Sequence, residues 1–288
     1  MACLDEGEPG LVERKYAVLG DPISHSKSPA IHTAAYAALG LDWSYEAVQI
    51  PRGELSAFLN AGHGYSGFSL TMPLKEELMV WAASAGAALD EAARSTGVGN
   101  TLLIDGPEVF NTDVYGAKQA LSEVVPSSID RIALLGSGAT AKSLLLASSS
   151  YFEGLQEVIV FARDVSKIDA LGAMLSDAGH GSVNLQWLPL EAAADFGGAE
   201  LTISTLPADV ASQFEVDVPL RGGYLFDVTY NGTGSLQNSF DVSNQVSALS
   251  MLVWQALAQI RIFVSNDAQQ PLTNEQELLE VMRASVQL

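Results

Sequence analysis

Cysteine is all but absent, with Cys3 the one thiol in 288 residues. A single thiol builds neither a disulfide framework nor a cysteine zinc site, and a reducing, cytoplasmic setting is the expectation. Basic side chains are scarce as well: 14 Lys and Arg stand against 34 Asp and Glu, a formal net charge of −20. So acidic a chain repels nucleic acid and anionic membrane, and neither is an expected partner. An anionic ligand must then be held locally, by helix N-termini, hydroxyls and individual cations working against the overall field. The histidines at 25, 32, 63 and 180 show no ligand spacing, so no metal is expected. Apolar runs are broken short of about 18 residues, which argues against a transmembrane helix. Residues 1–15 lack the basic and apolar regions of a secretory leader.

What remains is a packed globular composition, 48% hydrophobic and 17% charged, long enough for one large or two ordinary domains. Residues 16–19 read as an apolar strand running into Gly20-Asp21-Pro22, and Ser28 and Pro29 as the N-cap and first turn of a helix to residue 39. Strands at 45–49 and 67–71 alternate with helices at 54–60 and 74–83, the rhythm of an α/β fold. A helix near 90–94 and a hairpin across Asp105-Gly106-Pro107 precede a helix beginning after Asp113. A second series opens with the apolar strand 131–135, followed by a glycine-rich turn and a helix to 148. Strands at 157–161, 184–187, 201–204 and 224–228 then predict a doubly wound parallel sheet. The apolar segment 246–263, with Gln255 conspicuous in it, reads as a helix that returns to the first domain. The expected architecture is an N-terminal α/β domain, residues 1–114 with 249–288 packed back on it, and a Rossmann-type domain over 115–248.

Three clusters carry chemistry. Gly136-x-Gly138-x-x-Ala141 lies between a predicted strand and helix, where glycines admit a pyrophosphate to the backbone and the helix N-terminus favours its charge. Gly136, Ser137, Gly138 and Ala139 are the candidate cradle. The next strand ends in Ala162-Arg163-Asp164 with Lys167 close behind; Arg163 and Lys167 favour the 2′-phosphate of NADP, while Asp164 keeps NAD open. Ser24-His25-Ser26-Lys27-Ser28-Pro29 sets hydroxyls at a helix start, either as ordinary caps or as a carboxylate holder. Taken singly, Lys75 reads as a solvated lysine and Asp113 as an N-cap. Together they form a workable proton-transfer pair.

Taken in order, Gly20 to Pro29, Ser69-Leu70-Thr71-Met72-Pro73-Leu74-Lys75, Gly97-Val98-Gly99-Asn100-Thr101, Asn111-Thr112-Asp113, the Gly136 turn and Met251-Leu252 with Gln255 resemble the shikimate dehydrogenase family, including its quinate-using relatives. The resemblance covers nearly the whole chain. It implies an enzyme that interconverts 3-dehydroshikimate and shikimate with NADP, on the route to aromatic amino acids. On that resemblance Ser26 and Ser28, helped by Tyr230, hold the substrate carboxylate. Thr71, Asn100 and Gln255 read the ring hydroxyls, and Lys75 and Asp113 bracket the reacting oxygen. The chain departs from the family pattern at Ser69, where asparagine is common, and at Ala139 and Ala162-Arg163-Asp164 in the cofactor blocks. It departs again at Ala248-Leu249-Ser250, where Gly-Leu-Gly is usual and where added side chains are expected to crowd the nicotinamide. The alternatives are a quinate or shikimate dehydrogenase using NAD, and a non-catalytic sensor of shikimate-like acids. Monomer and homodimer both remain open.

Overall fold

The computed structural model describes residues 13–195, 197–211, 223–230, 236–237 and 240–288; Cys3 lies outside them. The first half runs β1 (Arg14–Gly20), α1 (Ser28–Ala38), β2 (Trp43–Gln49), α2 (Leu55–Ala61), β3 (Gly67–Leu70), α3 (Lys75–Ala85), β4 (Ala88–Leu89), α4 (Glu91–Thr96), β5 (Thr101–Leu103) and β6 (Glu108–Phe110). Its six strands form one mixed sheet in the order β2-β1-β3-β5-β6-β4. β1 pairs in parallel with β2 and β3, and β5 is antiparallel to both β3 and β6, the latter as the expected hairpin. The two-residue β4 was too short to show as a period in the sequence.

α5 (Thr112–Val124) leads out of this sheet to the second series, β7 (Arg131–Leu135), α6 (Ala139–Tyr151), β8 (Glu157–Phe161), α7 (Lys167–Asp177), β9 (Asn184–Leu188), β10 (Leu201–Ser204), α8 (Ala208–Ala211), β11 (Tyr224–Asp227) and β12 (Gln245–Val246). These strands form an all-parallel sheet in the order β12-β11-β10-β7-β8-β9. Sheets of this kind are covered on both faces, which is why β7, β8 and β10 read as apolar runs and their bounds fall where the sequence places them.

α9 (Ala248–Ser265) and α10 (Glu275–Ala284) complete the chain. Met251 at the start of α9 joins the core of the second sheet, whereas Val253, Leu257 and Ile260 pack with Tyr16, Ile31 and Tyr36 in the core of the first. By length and mean hydropathy α9 is long and apolar enough to cross a membrane, contrary to the reading of its sequence, but two-thirds of it (67%) is buried inside the protein. Arg261 and Glu275 tie α10 to α9 through two hydrogen bonds of 2.8 and 2.5 Å.

α5 and α9 cross at Gly116. A Cβ at that position would lie 2.7 Å from the Gln255 Cβ and 2.8 Å from the Met251 carbonyl oxygen, so glycine is required by close approach. Gly116→Ala is expected to cost about 1–3 kcal/mol, the usual penalty of overpacking, read as a lower urea midpoint with an unchanged m-value. A variant as stable as the parent would contradict so tight a crossing.

Candidate active site

Lys75 is the first residue of α3, set there by the fully buried Leu74 that anchors the turn after β3. Asp113 lies in the first turn of α5. It is Asn111 that caps this helix, its side chain accepting from the Asp113 N–H at 3.3 Å, so the Asp113 carboxylate is free for other work. Lys75 Nζ donates to Asp113 Oδ2 at 2.5 Å, and Asn100 Nδ2 donates to Asp113 Oδ1 at 2.9 Å. Side-chain exposure is 13% for Lys75 and 6% for Asp113. Asn100 is oriented without ambiguity, because its Oδ1 accepts from the Thr112 backbone N–H at 2.8 Å and its amide must then face Asp113. A pair this buried survives only because both charges are matched; stranding one of them costs about 3–5 kcal/mol.

The pair opens onto a cavity of about 310 Å³ between the two sheets. Ser26, Ser28, Thr71, Asn100, Tyr230 and Gln255 all line it. Ser28 does not cap α1: Lys27 occupies the cap position, without a side-chain cap bond. The Ser28 N–H instead donates to Ser26 Oγ at 3.3 Å, and the Ser28 side chain is buried at the cavity wall. Proline at the next position offers no N–H, which lowers the demand for a capping oxygen. Gln255 Oε1 accepts from Asn100 and from the Thr112 hydroxyl, each at 3.4 Å. Tyr230 reaches the cavity from beyond β11, and burial raises its pKa.

Sequence reasoning missed the floor of this cavity. Gln259, 2% exposed, sits one turn after Gln255 and lines the same space. Its Oε1 accepts from the Ser69 hydroxyl at 2.9 Å and from His32 Nε2 at 3.2 Å, and its Nε2 donates to Thr101 Oγ1 at 3.0 Å. Tyr45 donates to Ser69 at 2.7 Å and stacks on His32 with ring centroids 3.9 Å apart. The shorter side chain at 69 is thus fully bonded. The available signal was a second glutamine four residues after the first on an apolar helix, which places both on one face.

A second cavity, about 450 Å³, lies at the C-terminal edge of the parallel sheet and brings together Gly136, Ser137, Gly138, Ala139, Arg163 and Lys167. Gly136 has φ +105°, and a Cβ there would sit 2.3 Å from Thr205 Oγ1, so the sharp turn requires glycine. A Cβ on Gly138 would meet nothing within 4 Å, which leaves the backbone open to the cavity just where α6 begins. No side chain caps α6, so its first N–H groups are available to an anion. Those features fit a dinucleotide diphosphate. Asp164 is engaged: its Oδ1 takes the Ser166 hydroxyl at 2.6 Å and the Ser166 N–H at 3.0 Å, which lowers its pKa. Ser250 does not crowd the cleft either, because its hydroxyl donates to Glu123 Oε2 on α5 at 2.5 Å; Ala248 does line the smaller cavity. Thr71, Lys75 and Thr140 border both cavities, so the two spaces meet at the lysine. Among the described residues, no cluster of three or more His, Cys, Asp or Glu could hold a metal ion.

A glycine-cradled pocket that fits a dinucleotide, joined at Lys75 to a small polar cavity, is the arrangement of a two-sheet α/β oxidoreductase. The substrate binding domain of shikimate dehydrogenase matches residues 18–102. Shikimate dehydrogenase (NADP(+)) of Brucella abortus is 32% identical over 234 residues, 74% of this chain and 78% of that protein. Among solved structures, Mycobacterium tuberculosis shikimate dehydrogenase superposes with a TM-score of 0.76 at 29% identity, covering 95% of this chain and 99% of the other. The Thermus thermophilus enzyme in complex with NADP(H) and shikimate gives 0.72 at 27% identity, covering 94% and 99%. The chain belongs to the shikimate dehydrogenase family.

Burial of His32 lowers its pKa to about 3, against the opposing effect of the hydrogen bond it donates to Gln259. The folded ring is neutral, while the unfolded chain gains a proton below the ordinary value of 6.5. The stability that His32 contributes is therefore full above about pH 6.5 and falls by about 1.4 kcal/mol per pH unit as the pH drops toward 3. Between about pH 7 and pH 4.5, His32→Asn is expected to lose about 2–3 kcal/mol less folding stability than the parent. Urea denaturation at both pH values checks this, and parallel losses would contradict it.

Proposed function

We propose that this chain reduces 3-dehydroshikimate to shikimate, reversibly, with NADP as the nucleotide. The observation that carries the reading is the placement of Lys75, paired with Asp113, on the wall shared by the two cavities, where both ligands can be within reach of a proton donor. Engagement of Asp164 by Ser166, beside Arg163 and Lys167, supports NADP over NAD.

In this reading Ser26 and Ser28 hold the substrate carboxylate, with Tyr230 closing over it from the second sheet. Thr71, Asn100 and Gln255 hydrogen-bond the ring hydroxyls. The nicotinamide, when bound, supplies the hydride for the carbonyl carbon or takes it back in the oxidative direction. Lys75 Nζ delivers the proton to the carbonyl oxygen, so that C=O becomes CH–OH, and its ammonium stabilises the charge that develops on that oxygen. Asp113, fixed by Asn100, aims the ammonium and balances its charge in a site with little water. In the reverse direction the same nitrogen, unprotonated, accepts the hydroxyl proton. The reading also takes residues 1–114 with 249–288 as the substrate domain, 115–248 as the nucleotide domain, and the cytoplasm as the working compartment.

Lys75→Ala is expected to lower kcat by at least ~10²-fold, the low end for losing general acid–base catalysis, with little change in the KM for shikimate. Steady-state kinetics in both directions checks the split. A raised KM with an unchanged kcat would make Lys75 a binding residue only.

A further inference from the structure

We propose that Arg52, carried by the substrate-side sheet, is a third cation of the nucleotide pocket and contacts the 2′-phosphate of NADP across the cleft. The inference rests on the NADP reading above. Arg52 lies in the turn between β2 and α2, yet it lines the same cavity as Arg163 and Lys167 from the other sheet. The turn is held in place, since Glu77 on α3 accepts the Gly53 N–H with both carboxylate oxygens at 3.0 Å.

The charge balance around that cavity singles Arg52 out. Two carboxylates line it, Glu76 and Asp164, and both have partners. Glu76 accepts from Lys142 on α6 at 2.8 Å, a bridge between the two sides of the cleft, and that bond lowers its pKa, with smaller contributions from Lys167 and Arg52. Asp164 is taken by Ser166. Lys75, the remaining lining lysine, is paired with Asp113. Arg52, Arg163 and Lys167 form no ion pair among the described residues. Three cations without an ion pair, facing one cavity from both sides of the cleft in a protein with net charge −20, make a local site for a dianion. The diphosphate has its own site at the start of α6, which leaves the 2′-phosphate as the group that three cations would recognise.

The test is the dissociation constants of NADP and of NAD by calorimetry without shikimate, beside initial-rate kinetics with each nucleotide at saturating shikimate, on the parent, Arg52→Ala, Arg52→Lys and Arg163→Ala. Arg52 is solvent-exposed, so its replacement leaves the core intact. For Arg52→Ala the KM for NADP is expected to rise about tenfold or more, the range for losing one charge-assisted hydrogen bond, while the KM for NAD shifts far less. Arg52→Lys should fall between, since it keeps the charge and loses the fork. Equal increases for both nucleotides would place Arg52 on the diphosphate and overturn the proposal. A loss of selectivity in Arg163→Ala with none in Arg52→Ala would overturn it while leaving the NADP reading intact. A parent enzyme that prefers NAD would overturn both.

Discussion

The ion pair between Lys75 and Asp113 is the constraint on which the arrangement depends. One partner starts α3 and the other starts α5, and the two meet only because β3 and β6 lie in one sheet with β5 between them. Asp113 is buried and Lys75 nearly so, so each must stay matched, and Asn100, which a backbone N–H holds in one orientation, donates to the second carboxylate oxygen. The pair sits where the two cavities meet, and α5, leaving from the same point, leads into the second sheet.

α9 is the other half of that geometry. It begins in the core of the parallel sheet and ends in the core of the mixed one, and it places Gln255 and Gln259 on the face that looks into the cavity beside Lys75 and Asp113. Its crossing with α5 at Gly116 brings the Gln255 backbone against the helix that carries Asp113. Glu123 then fastens α5 to α9 and α10 by accepting from Ser250, Trp254 and Arg283. Replacing the usual glycine by Ser250 thus adds a bond on the far side of the helix.

Most of the fold was legible because its signals are local. β7, β8 and β10 are apolar runs of strand length, and Asp105-Gly106-Pro107 marks the β5–β6 turn unaided. The clusters at Ser26, Lys75, Asp113 and Gly136 were legible as motifs. Their local roles were harder, because a serine or an aspartate at a helix start fits a cap and a ligand equally well; Ser28 and Asp113 are released from capping by Pro29 and Asn111, a choice that only the backbone makes. The cavity floor was hidden for another reason. His32 and Gln259 are 227 positions apart and Ser69 and Gln259 are 190 apart, so no window along the chain brings them together. Arg52 stands in no motif, and only the fold brings it to the cavity lined by Gly136, Arg163 and Lys167.

The most direct test of the account is the absorbance of reduced nicotinamide when the purified protein is given shikimate with NADP, and in parallel shikimate with NAD and quinate with either nucleotide. The account predicts growth of the signal with shikimate and NADP, and much slower growth with the other pairs. No growth with any pair, in a folded protein that binds shikimate, would contradict a catalytic role for the Lys75–Asp113 pair.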